Sequence, residues 1–228
     1  MPSDKFKLVQ GFALFAEVSA ADGASIISAA REKRFARKET IFSEGNPVHQ
    51  VIMLLSGCVK VTQTGLSGNE VILRVNGPGD IVGSFRMCAQ CYHCSTAQAV
   101  QPSTALVWEA ANFEKLLARV PAFRQNTLRA LEDSLREMEK RFREVSTEKV
   151  GSRLSSELLR LSDRQGRPAN GQREITLSRA ELAQLTGTTL FTVSRLLCQW
   201  QSLGIVAIRR EAVLVRDVAA LAQLSQTE

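Results

Sequence analysis

From Ala122 to Ser146 the chain reads AFRQNTLRALEDSLREMEKRFREVS, with neither glycine nor proline to stop a helix. Within it Leu128, Leu131, Leu135, Met138, Phe142 and Val145 recur at intervals of 3, 4, 3, 4 and 3. That spacing is the a/d seam of a coiled coil, laid along a helix of about seven turns. A seam so narrow and so long asks for a partner helix. The simplest partner is its own copy in a second chain, which predicts a homodimer; the other solution packs the seam on the chain's own β-domain. Everything else in the sequence has to be arranged around this rod.

On its N-terminal side, from about Arg34 to Val107, short β-branched and apolar runs are punctuated by Gly45, Gly57, Gly65, Gly68, Gly77, Gly79 and Gly83 and by Pro47 and Pro78. This is the pattern of a small antiparallel barrel, and it predicts a β-roll. AADGASIISAAREKR, ahead of the roll, reads as a short helix capped near Ala21 to Asp22. On the C-terminal side a polar break, SDRQGRPANGQRE, precedes the last block. The expected fold class is therefore α+β, with a sensor-like β-roll over 1–120, a dimerisation helix over 121–147 and a winged helix-turn-helix over 148–228. A length of 228 residues with 44% apolar content is comfortable for two small cores.

The last block, EITLSRAELAQLTGTTLFTVSRLLCQWQSLGIVAIRREAVLVRD, carries the grammar of that third part. Ser178 is placed to cap a helix with Leu182 and Leu185 inward, Gly187 supplies a left-handed turn, and Thr188 or Thr189 caps the next helix. In this second helix Leu190, Val193, Leu196 and Leu197 form the expected buried stripe. Phe191, Ser194 and Arg195 then face a major groove as base contacts, and Arg195 can give two hydrogen bonds to guanine O6 and N7. Ser178, Arg179, Thr188, Thr189 and the hairpin arginines Arg209 and Arg210 are the residue types that hold phosphate oxygens. The competing reading is a helical hairpin used for protein contact. A formal charge of +6 agrees with an anionic partner but is spread evenly, with ten arginines against seven acids after Val150 leaving +3 there and +3 before it.

The order β-roll, long helix, winged helix-turn-helix, with GPGDIVG in the roll and TVSRLL in the recognition helix, resembles the Crp/Fnr family of bacterial transcription regulators over nearly the whole chain. The resemblance implies a homodimer that binds near-palindromic double-stranded DNA, with half-sites about one helical turn apart, and RNA polymerase as a further partner. It also implies that the N-terminal domain senses a small signal. Members similar to the cyclic-AMP receptor carry an acidic residue where this chain has Phe191, and an apolar ring meets a thymine methyl but cannot accept from cytosine N4. Cyclic-nucleotide binders of the family use a Glu after the roll glycine and an Arg-Ser or Arg-Thr pair. Here Ser84 follows Gly83 and the pair is Ser95-Thr96, leaving Arg86 or His93 as the nearest cationic substitutes.

In that place stands MCAQCYHCS, with Cys88, Cys91 and Cys94 in the spacing by which bacterial ferredoxins place three thiolates on one cluster. The leading expectation is an iron–sulfur cluster of the [4Fe-4S] type, with Cys58 or His93 as fourth ligand, responding to oxygen, nitric oxide or redox state. Fnr-like members hold their cluster on cysteines gathered before the roll plus one inside it, and this chain has none before Cys58. Zinc or direct thiol oxidation is the alternative, and inert cysteines the remaining one. Cys198 is expected to pack as a small hydrophobe.

An iron–sulfur or metal-dependent enzyme is disfavoured. The chain has two histidines, His49 and His93, and no H-E-x-x-H, nucleophile triad or P-loop pattern. No apolar run reaches the roughly eighteen residues of a membrane span and MPSDKFKLVQGF lacks a secretory signal, so a cytoplasmic protein with no membrane partner is expected.

Overall fold

The computed structural model describes residues 2–83, 91–165, 167–169 and 172–226. Its contacts divide the chain into two compact units, Met1–Gln63 with Asn76–Glu137 and Thr64–Val75 with Met138–Glu228.

Helix α1 (Pro2–Val9), a single 3-10 turn (Ala13–Phe15) and α2 (Ala20–Ser28) open the chain. Helix α2 starts where Ser19 accepts a hydrogen bond from the Asp22 amide, close to the expected cap, but it stops at Ser28. Residues Arg31–Phe35 form strand β1 instead of continuing the helix, because they pair antiparallel with β6 (Thr96–Glu109), Arg31 opposite Val107. Long-range ladder bonds outweigh the helical propensity of REKR. The remaining strands are β2 (Thr40–Phe42), β3 (Gln50–Thr64), β4 (Glu70–Asn76) and β5 (Ile81–Val82). The sheet runs β1-β6-β3-β4, with β2 on β6 and β5 on β3, which is the expected antiparallel roll.

One core of this unit gathers Met53, Leu106, Trp108, Phe113 and Phe123 with Phe15 and Ile26 of the N-terminal helices. The Trp108 indole donates to the Ile26 carbonyl, so the buried ring leaves no orphan donor. Helix α3 (Ala110–Arg119) leads into α4 (Pro121–Thr147), which contains the whole heptad seam. Near its start the buried Asn126 amide donates to two carbonyls of the N-terminal turn, Leu14 at 3.1 Å and Ala16 at 2.7 Å. Each buried acceptor left unpaired costs about 1–3 kcal/mol. Asn126→Ala is therefore expected to lower the unfolding free energy by about 2–4 kcal/mol in a urea titration, without a change in the slope.

In the other unit follow α5 (Val150–Gln165), β7 (Arg167–Ala169), β8 (Gln172–Ile175), α6 (Arg179–Thr186), α7 (Leu190–Ser202), β9 (Val206–Arg209), β10 (Ala212–Val215) and α8 (Val218–Leu224). The polar break of the sequence thus holds the end of a helix and two strands. The wing is accordingly more than a two-strand hairpin, since β10 pairs with β8 as well as β9 in a sheet of order β7-β8-β10-β9. The Arg141 guanidinium of α4 donates to the Leu73 carbonyl of β4 and, at 2.9 Å, to the Leu185 carbonyl of α6. No helix among the described residues is long and apolar enough to cross a membrane.

Candidate functional site

Three features built by these elements bear on function: the α6–α7 pair, the seam of α4, and the segment around Cys91.

Helix α6 begins with a full capping box, in which the Ser178 hydroxyl accepts from the Glu181 amide and the Glu181 carboxylate accepts from the Ser178 amide. It ends at Gly187, whose φ of +61° is the left-handed cap that only glycine adopts freely. Thr189 caps α7 by accepting from the Thr192 amide, and its hydroxyl lies 3.0 Å from that of Thr192. Val193, Leu197 and Trp200 are the buried stripe of α7, at spacings of 4 and 3. Leu190 is not in that stripe and stands 52% exposed, beside Phe191 at 77%. Helical spacing alone places Leu190, Val193, Leu196 and Leu197 inside; in the structure Leu196 is half-buried and Trp200 joins Val193 and Leu197 in place of Leu190.

Arg195 is exposed and Ser194 half-buried one turn further on. Cys198 is exposed too, not packed as a small hydrophobe, because it falls on the same ridge as Arg195. Among the residues expected to hold phosphates, Thr188 and Arg179 are half-buried, Thr189 and Arg210 exposed. Ser178 is engaged in its capping box, and Arg209 pairs with Glu174 at 3.1 Å. That pair is exposed enough to exchange for another anion at small cost.

The seam of α4 is largely uncovered. Leu128, Leu135, Met138, Phe142 and Val145 are 49% to 76% exposed, and Leu131 is half-buried. Apolar side chains in such a row do not stay in water when a matching helix is available.

Of the cysteine motif, Cys91 and Cys94 are described and Cys88 lies outside the described residues, as do Ser84 and Arg86. The segment runs alongside residues 45–48: the Val48 amide donates to the Cys91 carbonyl, the His93 amide to the Asn46 carbonyl, and the Gly45 amide to the His93 carbonyl. Tyr92 bridges to Pro47. Extended backbone alternates its side chains, so Tyr92 and Cys94 are exposed while His93 and Ser95 are buried.

The His93 ring stacks on Phe42, with centroids 3.6 Å apart at 10°. Its Nδ1 has no hydrogen-bond partner among the described residues, and burial pushes its pKa below the ordinary histidine value. Gly83, at φ +90°, closes this stack, since a Cβ there would lie 2.5 Å from the Phe42 ring. Cys91 is disulfide-bonded. Cys58 is fully buried on β3 and five residues from Gln63, whose side chain donates to the Cys94 carbonyl. At the usual strand rise that is about 16 Å of chain.

The described members of the donor set are therefore not gathered around one point in this conformation. Cys91 is spent in a disulfide, Cys94 and His93 face opposite ways, and Cys58, one of the two residues expected as fourth ligand, is too remote to reach Cys94. Among the described residues no group of three His, Cys, Asp or Glu side chains could hold a metal.

Comparison with known proteins bears on all three features. The Cyclic nucleotide-binding domain family model matches residues 32–120, and the Crp-like helix-turn-helix domain matches residues 152–224. An Anaerobic regulatory protein of Haemophilus influenzae is 28% identical over 201 residues, 86% of this chain and 77% of that one. The CRP-like cAMP-activated global transcriptional regulator of Mycobacterium tuberculosis is 27% identical, over 83% of this chain and 85% of that one. Among solved structures, FixK2 from Bradyrhizobium japonicum superposes with a TM-score of 0.75 at 22% identity, covering 87% of this chain and 98% of that one.

Proposed function

Because this chain belongs to the Crp/Fnr family of transcription regulators, we propose that it works as a homodimer whose two α7 helices read a near-palindromic DNA site, under control of the thiol state of its β-roll. The fold and family are those of regulators of transcription, not of enzymes. The uncovered seam of α4 supports the dimer. A doubly capped helix pair leaving Phe191 and Arg195 outward supports the reading of bases, with Ser194 beside them. Thr188, Thr189, Arg179, Arg210 and, once released from Glu174, Arg209 supply phosphate contacts; Ser178 contributes through the cap that sets α6. RNA polymerase is the partner through which such a DNA-bound dimer acts, and the cytoplasm is where it would meet both.

The single observation that carries the sensing mode is the disulfide at Cys91. Reduction by two electrons and two protons returns two thiols, and a low-molecular-weight disulfide can take them back. Cys91 begins the segment hydrogen-bonded to residues 45–48, whose His93 ring stacks on Phe42, so the thiol state at Cys91 would act next to that ladder.

A second reading has its own support. The C-x-x-C-x-x-C spacing and relatives named Anaerobic regulatory protein favour an iron–sulfur cluster bound by Cys88, Cys91 and Cys94 after reduction and opening of the segment. Such a cluster would supply sensitivity to oxygen or nitric oxide, and zinc on the same thiolates would supply a structural clip. Cyclic-nucleotide control is supported by the roll domain and by a relative named as cAMP-activated. Against it, the buried Ser95 stands where the family's cyclic-nucleotide binders have an arginine.

One experiment separates these. The protein is purified without air, assayed for iron, sulfide and zinc, sized by light scattering, and used to select a duplex from a randomised pool. Affinity for that duplex is then measured in dithiothreitol and in glutathione disulfide, with and without cyclic AMP. The thiol reading expects a metal-free dimer whose affinity differs at least about tenfold between the two states, a shift of about 1.4 kcal/mol, and a Cys91→Ser variant blind to the change. Stoichiometric iron and sulfide would replace it with the cluster reading, and equal affinity of a metal-free protein in both states would end redox control.

A further inference from the structure

The recognition helix presents an apolar pair where its first turn meets the groove. Leu190 and Phe191 are its first two residues and both are more than half exposed; Phe191 lies opposite the buried Val193, Leu197 and Trp200, whereas Leu190 continues their row at a spacing of three. Scattered single apolar residues on a surface need no explanation. Phe191, on the end of the helix that would enter the major groove and opposite its buried stripe, is placed where base edges would cover it.

Their chemistry selects among the four bases. Helix α7, LFTVSRLLCQWQS, has no aspartate or glutamate, so it offers no carboxylate to the N4 amine of cytosine or the N6 amine of adenine. Of the nearby hydroxyls, Thr189 caps the Thr192 amide and lies 3.0 Å from the Thr192 hydroxyl. An amine pressed against the Phe191 ring would lose its water without gaining an acceptor from that side chain. The thymine 5-methyl group is the one major-groove feature that prefers such a surface.

Phe191 also stands on an exposed ridge with Arg195, Cys198 and Ser202, at helical spacings of 4, 3 and 4. Four residues rise about 6 Å, under two base-pair steps. We propose that Phe191 is a specificity-determining residue that reads a thymine methyl within about two base pairs of the guanine held by Arg195. This rests on the DNA-reading role proposed above and names what that site selects.

The test uses the full-length protein and the duplex selected from the randomised pool. The selected half-site contains thymine at that distance from guanine. Replacing only this thymine by deoxyuridine removes one methyl and is expected to weaken binding about fourfold per half-site, the value of one buried CH2 group. Phe191→Ala, an exposed position whose truncation leaves the fold intact, binds the thymine and deoxyuridine duplexes alike. Phe191→Glu moves the preference at that position from thymine to cytosine. A selected site with no thymine there, or equal binding of both duplexes by the unaltered protein, overturns the inference while leaving DNA binding in place. Enrichment of no duplex at all would instead overturn the DNA-reading role, and with it this inference; the Phe191 ridge would then belong to a protein contact.

Discussion

Replacing Arg160 by leucine is expected to cost about 3–5 kcal/mol of stability, the penalty for breaking a buried ion pair from one side. Arg160 on α5 holds two carboxylates. Its Nη1 and Nη2 each lie 2.8 Å from an oxygen of Glu144, and its Nε and Nη2 lie 2.9 and 2.6 Å from Glu157 Oε2. Both glutamate side chains are only 5% exposed. Burial works against the guanidinium charge, but the hydrogen bonds and charges of Glu144 and Glu157 outweigh it and hold the Arg160 pKa above its ordinary value. With Arg160 gone, Arg141 at 3.7 Å from Glu157 is a weak substitute, and Glu144 loses a bidentate partner.

Domains of this size have about 5–15 kcal/mol to lose, so the variant should show a clear drop in urea midpoint. Removing Arg160 and Glu144 together, as Arg160→Leu with Glu144→Leu, is expected to recover part of the loss, because Glu144 then leaves no lone buried charge and Glu157 keeps Arg141 at 3.7 Å. A single variant as stable as the parent would show that these carboxylates reach water.

The second large effect falls on DNA. Arg195→Ala is expected to weaken binding to the selected duplex at least about thirtyfold, since a bidentate arginine–guanine contact is worth about 1–3 kcal/mol and a symmetric site contains two. Arg195 is exposed, so its removal should leave the urea midpoint unchanged. The loss should concentrate on duplexes carrying the guanine and leave the salt dependence nearly untouched. Arg210→Ala, at the exposed wing turn, should do the reverse: a similar loss on every sequence and a shallower salt slope. Fluorescence anisotropy against matched and guanine-substituted duplexes at two salt concentrations reads both.

Legibility differed between the parts for a physical reason. The long helix, the capped α6, the glycine turn at 187 and the cap of α7 are local: periods and side-chain-to-backbone bonds span four residues or fewer, and the relevant groups are neighbours in the sequence. The β-roll was legible as a class from its turn residues. Strand β1 was not fully so, because Arg31–Phe35 becomes a strand only through pairing with residues 103–107. Leu190 and Cys198 were misplaced because several stripes on α7 fit one helical period, and the choice among them belongs to whatever packs against it. The cysteines were legible as a spacing and not as a site. Their spacing suits a turn, whereas the ladder to residues 45–48 holds the segment extended and turns Cys94 away from His93.

By itself, then, the sequence determined a helical rod with an apolar seam, a β-rich domain before it and a capped helix pair after it, since each follows from periodicity and from caps within one turn. Tertiary structure alone decided that Arg160 would join Glu144 to Glu157, that Leu190 and Phe191 would be left open together, and that Cys58 would sit far from Cys94. Those outcomes depend on which distant surfaces compete for each side chain, and burial by a remote neighbour leaves no period in the chain that it covers.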